Sequence, residues 1–349
     1  MLRKGTFILM KTKIQDMTSG SPGRLIILFA IPLMLGNICQ QLYTMVDTMV
    51  VGQVAGVEAL AALGAVDFLM WVVTGISTGL TQGFSIQLSQ YYGAKDFENL
   101  RKSLAHSYRL TAFIAIGVFI LSQSFASLVL TGLHTPSNII GMSLLYLRII
   151  FCGIPATAAY NMFASALRAM GNSKTPLTAM IIASVLNVSL DILFVAGFGW
   201  GVAGAAIATV IAQSFSAVYC FLILRRIDIV HLTRADFMPA SGMNARLMKL
   251  GIPVVFQNII IGVGGLVVQY VINGYGFLFV AGFTATNKLY GLLEMAAISY
   301  GYAIVTYVGQ NLGAGKIDRI RKGVRSSMLL SLLTSLIISA AMFLFGKNI

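Results

Sequence analysis

Charged residues are scarce in this 349-residue chain: they make up 10% of it, and only 11 are Asp or Glu, whereas 57% of the residues are hydrophobic. Such a composition excludes an ordinary water-soluble globular protein of this size. Cysteine and histidine are scarcer still, with three of each. Because Cys39, Cys152 and Cys220 show no paired spacing, neither a disulfide framework nor a cysteine metal site is indicated.

Motifs of known catalytic chemistry are also missing. The sequence contains no HExxH, no glycine loop followed by Lys-Ser/Thr, and no nucleophile elbow. We therefore expect neither enzymatic activity nor a cofactor. The net charge of +13 does not indicate nucleic-acid binding, because the basic residues are spread over membrane-proximal loops. Attraction to anionic lipid headgroups is the favoured role of this charge.

Long apolar runs make up most of the chain. Nine of them are long enough to cross a hydrocarbon core, which takes about 20 residues. They lie at residues 25–46, 58–82, 110–131, 139–163, 176–197, 199–224, 250–273, 279–308 and 327–346. The sequence therefore predicts an all-α, polytopic membrane protein that has the lipid bilayer as its immediate partner.

The distribution of Lys and Arg predicts the orientation of the spans. Of the 24 Lys and Arg residues, 21 lie before the first span or after the second, fourth, sixth and eighth spans. The loops on the other side, near residues 52–56, 132–138, 197–201 and 273–276, carry none. By the positive-inside rule the N-terminus is cytoplasmic, and the plasma membrane is the expected location.

The chain contains an internal repeat with an offset of 220 or 221 residues. Asn37 corresponds to Asn258, and residues 90–94 correspond to residues 310–314. A period this long indicates a duplicated bundle. We expect a cytoplasmic N-terminal segment at 1–24, a complete six-helix first lobe at 25–226, a cytoplasmic connection at 227–245, and the first three helices of a second lobe at 246–349.

Polar side chains at membrane depth are the candidates for function. On the first span four of them recur every three or four residues and share one helical face: Asn37, Gln40, Thr44 and Asp47. Because a carboxylate at membrane depth is costly, Asp47 is a functional candidate, unless it lies near enough to the headgroups to be solvated. The same two interpretations apply to Asp67, which heads a second-span stripe with Trp71, Thr74, Thr78 and Thr81.

A second polar face lies on the fifth span. Asn187 and Asp191 are four residues apart, and Thr209 on the sixth span lies at a depth from which it can approach them. Together with Asp47, these oxygens suit a hard cation such as sodium, while two crowded carboxyl groups can instead share protons. A third interpretation is a hydrogen-bonded pair that only holds helices together.

Several runs resemble the multidrug and toxic compound extrusion (MATE) transporters. They are residues 45–48, 93–95 with their counterpart 308–316, 167–172 and 201–206, and they occur in order and at the family's spacing along the whole chain. The resemblance implies two six-span lobes around a central cavity. It also implies export of small organic, often cationic compounds in exchange for sodium or protons, by alternating access.

The resemblance assigns roles to single residues. The cation-coupling cluster of the family corresponds to Asp47, Asn161, Asn187, Asp191 and Thr209. The polar residues Asn37, Gln40, Thr44 and Gln257 are candidates for the substrate cavity. A second acidic site found in one branch of the family is not expected, because residues 257–261 contain no acid. The sequence leaves the oligomeric state open.

The resemblance implies that the second lobe is incomplete, since the family has twelve spans. We therefore expect Gln257, Asn258 and Gln269 to be exposed to lipid. Two alternatives to an antiporter stay open. One is a lipid-linked sugar flippase of the wider superfamily, which would need a cationic cavity although only Arg148 and Lys288 lie away from the cytoplasmic ends of the spans. The other is a truncated fragment that does not transport.

Overall fold

The protein is a bundle of long α-helices, seen in a computed structural model. The structure describes residues 14–132, 135, 137–273 and 277–345. Within these ranges it leaves out the side chains of residues 57, 68, 266, 269, 270, 272, 273, 277–290, 292–294, 341, 342 and 345.

Eleven α-helices and no β-strand are present in these described ranges. The helices are α1 Pro22–Val54, α2 Val57–Gly64, α3 Asp67–Gly93, α4 Phe97–Gly132, α5 Ile140–Cys152, α6 Ile154–Ala169, α7 Lys174–Asp191, α8 Gly201–Leu224, α9 Met243–Asn273, α10 Phe277–Gly313 and α11 Ile317–Phe345. The all-α fold predicted from the apolar runs is confirmed.

Most of the helices are long and apolar enough to cross a membrane. Seven helical stretches of the described part meet this condition, or eight if the bent pair α5 and α6 counts as one span. The polytopic membrane architecture is therefore confirmed. The remaining predicted span, 279–308, coincides with α10. Because most of the side chains in the first half of α10 lie outside the described residues, the count of nine stays a prediction.

Two of the predicted spans are interrupted in the structure. The second span consists of α2 and α3, which are separated by a turn at residues 65–66. The fourth consists of α5 and α6, whose axes differ by 46°. Pro155 lies in the first turn of α6, where its missing N–H costs no helical hydrogen bond. Pro32 and Pro253 lie inside α1 and α9, where each removes a hydrogen bond.

The turns that carry the positive charge lie together at one end of the bundle, which we call the basic end. It contains residues 14–21, 94–96, 170–173, 225–242 and 314–316. Helices α1, α4 and α9, and the π-helical turn after α7, end at the opposite end of the bundle. Successive helices or helix pairs therefore run in alternating directions between the two ends.

The N-terminal residues 14–21 form a strap across the basic end. The N–H of Gln15 donates to the carbonyl oxygen of Gly171 at 3.1 Å, and the N–H of Met17 donates to Oε1 of Gln310 at 3.0 Å. Asn311 Nδ2 donates to the carbonyl oxygen of Met17 at 2.9 Å. The strap thus joins the turn between α6 and α7 to the buried end of α10.

Basic side chains of the second lobe also hold the strap. Lys316 Nζ donates to the carbonyl oxygen of Thr18 at 2.9 Å. The Arg319 guanidinium donates to the carbonyl oxygen of Gly20 at 2.9 Å and to Oδ1 of Asn311 at 3.0 Å. Part of the positive charge at this end therefore satisfies backbone carbonyls of the strap, in addition to any attraction for lipid.

Helices α3 and α10 cross at the basic end through glycines that the internal repeat relates. Gly93 abuts the main chain of Gln310, and Gly313 abuts the main chain of Gln90. The offset of 220 residues relates Gly93 to Gly313 and Gln90 to Gln310. The two contacts are therefore equivalent, and the crossing has approximate two-fold symmetry. A side chain at either glycine would collide with the backbone of the other helix.

Helix α3 also packs closely against α9 along a row of glycines. Gly75, Gly79 and Gly83 recur every four residues on one face of α3, the spacing that allows two membrane helices to approach each other. A Cβ atom at Gly79 would lie 2.9 Å from main-chain atoms of Val255, and one at Gly83 would abut the main chain of Gly251. This face fixes α9 against the first lobe.

The structure corrects the expectation that Asn258 is exposed. Its Nδ2 atom donates to the carbonyl oxygen of Gly75 at 3.1 Å, and the residue is half-buried against α3. Gln257 is exposed, as expected, while the side chain of Gln269 lies outside the described residues. The reason is that α9 packs on α3 of the first lobe, which covers the polar face that Asn258 presents.

The connection between the lobes is packed onto α4. It contains short 3₁₀ turns at Asp228–Val230 and Arg234–Phe237. The buried ring of His106 on α4 contacts Oδ1 of Asn244 at 2.7 Å and the carbonyl oxygen of Met238 at 3.1 Å. These contacts hold the connection against α4, although its composition is polar.

Candidate functional site

The two carboxyl groups proposed from the sequence are both buried. Asp47 on α1 is 5% exposed, and Asp191 at the end of α7 is fully buried. They lie within electrostatic range of each other. After Asp191 the chain continues into a π-helical turn, Ile192–Gly197. Because π-helical turns are frequent at functional sites, this local geometry agrees with a special role for Asp191.

Helix α8 adds polar side chains beside α7. Asn187 lies one turn before Asp191, and its Nδ2 atom donates to Oγ1 of Thr209 at 3.4 Å. Asn187 is fully buried. Asn187 and Thr209, singled out separately in the sequence, are therefore brought together by the packing of α7 on α8.

Tyr43 and Gln213 belong to the same cluster, although the sequence analysis did not single them out. Gln213 Nε2 on α8 donates to the hydroxyl oxygen of Tyr43 on α1 at 3.4 Å. Tyr43 lies one turn before Asp47, and Gln213 lies one turn after Thr209. Tyr43 and Asp47 are four residues apart, as are Thr209 and Gln213, so the helical spacing of three or four residues used for the first span would have found both of them.

The cluster also has an aromatic side. The hydroxyl groups of Tyr43 and of the buried Tyr146 on α5 both lie within electrostatic range of Asp47 and Asp191. Side chains from α1, α5, α7 and α8 therefore lie near the two carboxyl groups. We call the residues Tyr43, Asp47, Tyr146, Asn187, Asp191, Thr209 and Gln213 the first-lobe cluster.

Several oxygens of the first-lobe cluster are buried without a hydrogen-bond partner among the described residues: Asp47 Oδ1, Asn187 Oδ1, both carboxyl oxygens of Asp191 and Gln213 Oε1. Buried polar atoms in proteins are normally paired. All of these atoms are acceptors, so the cluster is suited to a hard cation that takes oxygen ligands, or to protons on its carboxyl groups. The described part contains no group of three His, Cys, Asp or Glu residues arranged for a metal ion.

Asn161, assigned to the coupling cluster by resemblance, makes a different contact. Its Nδ2 atom on α6 donates to Oγ1 of Thr78 on α3 at 3.2 Å. Thr78 in turn donates to the carbonyl oxygen of Thr74. The structure therefore joins Asn161 to the polar stripe of the second span by this bond.

The candidates for the substrate cavity are not gathered in one place. Asn37 is half-buried and its Nδ2 atom donates to Oγ of Ser299 on α10 at 3.2 Å, a contact between the lobes. Gln40, Thr44 and Gln257 are exposed. By the repeat, Asn37 corresponds to Asn258, and each asparagine reaches from the first helix of its own lobe to the other lobe.

Two cavities of about 290 Å³ each are lined by other residues. One lies between α1 and α2, away from the basic end, and is lined by Met45, Thr48, Met49, Gly52, Gln53 and Leu60. The other lies between α3 and α9 at the basic end. Neither includes a residue of the first-lobe cluster.

Comparison with known proteins identifies a matching family and related proteins. The family described as MatE matches residues 32–193 and again residues 253–349, so that the two matches begin one repeat offset apart. "Probable multidrug resistance protein YpnP" of Bacillus subtilis is 32% identical over 308 residues, which cover 88% of this chain and 69% of that protein. "Probable multidrug resistance protein YoeA" of the same organism is 27% identical over 343 residues, 96% of this chain and 74% of that protein.

A solved structure shows the same fold. A transporter of the MOP superfamily from Pyrococcus furiosus superposes with a TM-score of 0.91 at 23% identity, and the match covers 97% of this chain and 75% of that one. Members of the matched family are transporters and not enzymes. The duplicated sequence, the helical bundle and these matches lead to one conclusion: the chain belongs to the MatE family of membrane transporters.

Proposed function

We propose that the protein exports small organic compounds, drugs among them, across the plasma membrane in exchange for sodium ions or protons. The observation that carries this proposal is the first-lobe cluster, whose buried acceptor oxygens on α1, α7 and α8 lack partners among the described residues. The names of YpnP and YoeA support the assignment of drugs as the exported compounds. The distribution of Lys and Arg supports a cytoplasmic basic end.

Alternating access would require the basic end to open. In the structure this end is held together by the crossing of α3 and α10 and by the strap. A cation or proton changes the balance between the closed and open forms only if the first-lobe cluster binds it more tightly in one of them. The two carboxyl groups supply such a difference, because their mutual repulsion depends on how closely α1 approaches α7.

Helix α1 links this cluster to the second lobe. Asp47 belongs to the cluster, and Asn37, three turns earlier on the same helix, donates to Ser299 of α10. A shift of α1 that accompanies neutralisation of Asp47 would therefore act directly on a contact between the lobes. The single helix supplies a physical path from the ion to the interface.

The residues of the first-lobe cluster do not favour the alternative of a lipid-linked sugar flippase. A pyrophosphate group needs cationic partners, whereas the first-lobe cluster consists of carboxyl, amide and hydroxyl groups. Arg148 is exposed on α5, and the side chain of Lys288 lies outside the described residues.

The proposal is tested by transport in proteoliposomes that contain the full chain. A cationic fluorescent dye is followed while a sodium gradient or a proton gradient is imposed separately. We expect Asp47→Asn and Asp191→Asn to abolish gradient-driven dye movement, with Glu98→Gln as the control because Glu98 is an exposed acid paired with Lys102. Wild-type rates in both Asn variants would refute the coupling assignment, and absence of gradient-driven movement by the wild type would refute export.

A further inference from the structure

We propose that the cleft between α3 and α9 at the basic end binds the headgroup of an anionic phospholipid that carries a free hydroxyl group, as phosphatidylglycerol does. The cleft has a volume of about 290 Å³ and is lined by Gln87, Gln90, Tyr91, Arg246, Lys249 and Leu250. This volume is at the lower end of the range of roughly 300–1,000 Å³ for small-molecule sites, which suits a headgroup.

The cleft lies one turn beyond the closest approach of the two helices. Gly83 and Gly251 bring the backbones of α3 and α9 into contact. Closer to the basic end the facing positions of α3 and α9 carry longer side chains in place of glycine. The two helices therefore form the two walls of the cleft. Gln87, at one side of the cleft, lies six residues before the end of α3 at Gly93, a distance of about 9 Å at 1.5 Å per residue. The predicted second span ends at residue 82, and Gln87 lies five residues beyond it, about 7.5 Å at 1.5 Å per residue, so we place the cleft at the level of the lipid headgroups.

Two cationic side chains provide the anion-binding part of the cleft. Arg246 and Lys249 are three residues apart on the same face of α9, and both are exposed. Within the part of the chain that the structure describes, neither lies within 4.0 Å of a carboxylate, since the ion pairs there involve Arg101 and Lys102. An arginine beside a lysine suits a phosphate group, and basic pockets between membrane helices bind phospholipid headgroups.

Gln87 adds a requirement for a hydrogen-bond donor. The residue is 4% exposed, and its Nε2 atom donates to the hydroxyl oxygen of Tyr91 at 3.3 Å and to Sδ of Met243 at 3.1 Å. Its Oε1 atom is buried and has no partner among the described residues. Because an amide oxygen only accepts hydrogen bonds, a hydroxyl group of the headgroup satisfies it and a deprotonated phosphate oxygen does not.

The occupant is therefore an anion with a hydroxyl group attached to it. The phosphate lies against Arg246 and Lys249, the headgroup hydroxyl donates to Gln87 Oε1, and Leu250 offers an apolar contact to the start of the acyl chains. Since α3 belongs to the first lobe and α9 to the second, a bound headgroup bridges the lobes and favours the arrangement in which the two helices stay together.

Native mass spectrometry of the purified full chain tests this site. The protein is incubated separately with phosphatidylglycerol, phosphatidic acid and phosphatidylcholine, at a pH well above the second phosphate pKa of about 6, so that phosphatidic acid carries no P–OH donor. We expect phosphatidylglycerol to bind most tightly, and the double variant Arg246→Gln/Lys249→Gln to lose about tenfold in its affinity. The matched control is Arg321→Gln/Lys322→Gln, which removes two exposed charges from α11 at the same end. An equal loss in the control would overturn the site, because it would show a general effect of charge.

Two further measurements test whether the site requires a headgroup hydroxyl and whether its phosphate comes from a lipid. Gln87→Met should keep anion binding but remove the preference for phosphatidylglycerol over phosphatidic acid; a preserved preference would overturn the role of Gln87. Inorganic phosphate at millimolar concentration should leave phosphatidylglycerol bound. Full displacement by inorganic phosphate would show a site for the free anion and would overturn the lipid assignment. A single symmetrical peak on size exclusion, together with unchanged dye transport in proteoliposomes made of phosphatidylcholine alone, establishes that each variant is folded.

Discussion

The contact between α3 and α9 predicts that Gly83→Ala destabilises the protein, whereas Gly75→Ala on the same helical face does not. A Cβ atom at Gly83 would lie 2.6 Å from the carbonyl oxygen of Leu250 and would abut Cα of Gly251. These are main-chain atoms and cannot rotate away. An ordinary contact of 3.4 Å with that oxygen alone requires the helices to move apart by about 0.8 Å, and the nearer Cα of Gly251 makes this a lower bound.

The size of the effect follows from this displacement. A gap of 0.5–1 Å forfeits roughly a quarter to a half of the attraction of each atom pair across the contact, and overpacking a buried site costs about 1–3 kcal/mol. A Cβ atom at Gly75 would lie 3.5 Å from Cβ of Asn258, an ordinary contact, and alanine is a better helix former than glycine by up to about 1 kcal/mol. Because both variants gain the same helix propensity, their free energies of unfolding should differ by the overpacking cost alone, about 1–3 kcal/mol.

Unfolding in one detergent, followed by intrinsic fluorescence during heating and during titration with a denaturing detergent, measures this difference. Gly117→Ala on α4 is the control for helix propensity alone, because no atom lies within 4 Å of its added Cβ. The reasoning is refuted if Gly83→Ala is as stable as Gly75→Ala, since α3 and α9 would then not be in contact at this depth.

Three further predictions concern the basic end. In a background without native cysteines, a membrane-impermeant thiol reagent on intact cells should label Ser137→Cys and not Ser241→Cys; the reverse pattern would invert the orientation. Asn311→Ala removes a buried donor of the strap at a cost of about 1–3 kcal/mol and should expose residues 14–21 to protease, whereas Leu312→Ala, on an exposed side chain, should not. His106→Phe should release the inter-lobe connection from α4, seen as faster cleavage there; unchanged cleavage would contradict its anchoring role.

Features that depend on local sequence were predictable. Length and apolar content located most of the membrane helices, because a segment that crosses the bilayer has to satisfy its backbone internally and carry apolar side chains. Helical spacing brought Asn187 and Asp191 onto one face, and the repeat offset related Asn37 to Asn258. Helical spacing could also have predicted the glycine row of α3, and the repeat offset could have predicted the paired roles of Gly93 and Gly313 at the helix crossing. Neither feature was recognised from the sequence.

Features that depend on distant pairing were not predictable from the sequence. The apolar run at 110–131 marks only the lipid-crossing part of α4, which begins at Phe97, because a helix continues into water where its backbone bonds are still satisfied. The expectation that Asn258 is exposed to lipid was wrong because nothing in its own segment shows that α9 packs on α3. The hydrogen bond of Asn161 to Thr78 depends on how α6 packs against α3, which no spacing within either helix encodes.

The strap imposes an order on the assembly of the protein. Met17 is bonded to Gln310, Asn311 and Arg319, which follow it by 293, 294 and 302 residues. At about 5–20 residues per second, roughly 15–60 s of synthesis separate the strap from these partners. During that interval the first lobe can insert and pack while the backbone of the strap is hydrated. The strap therefore takes its final position only after α10 and α11 have been synthesised, so closure of the basic end is a late event in biogenesis.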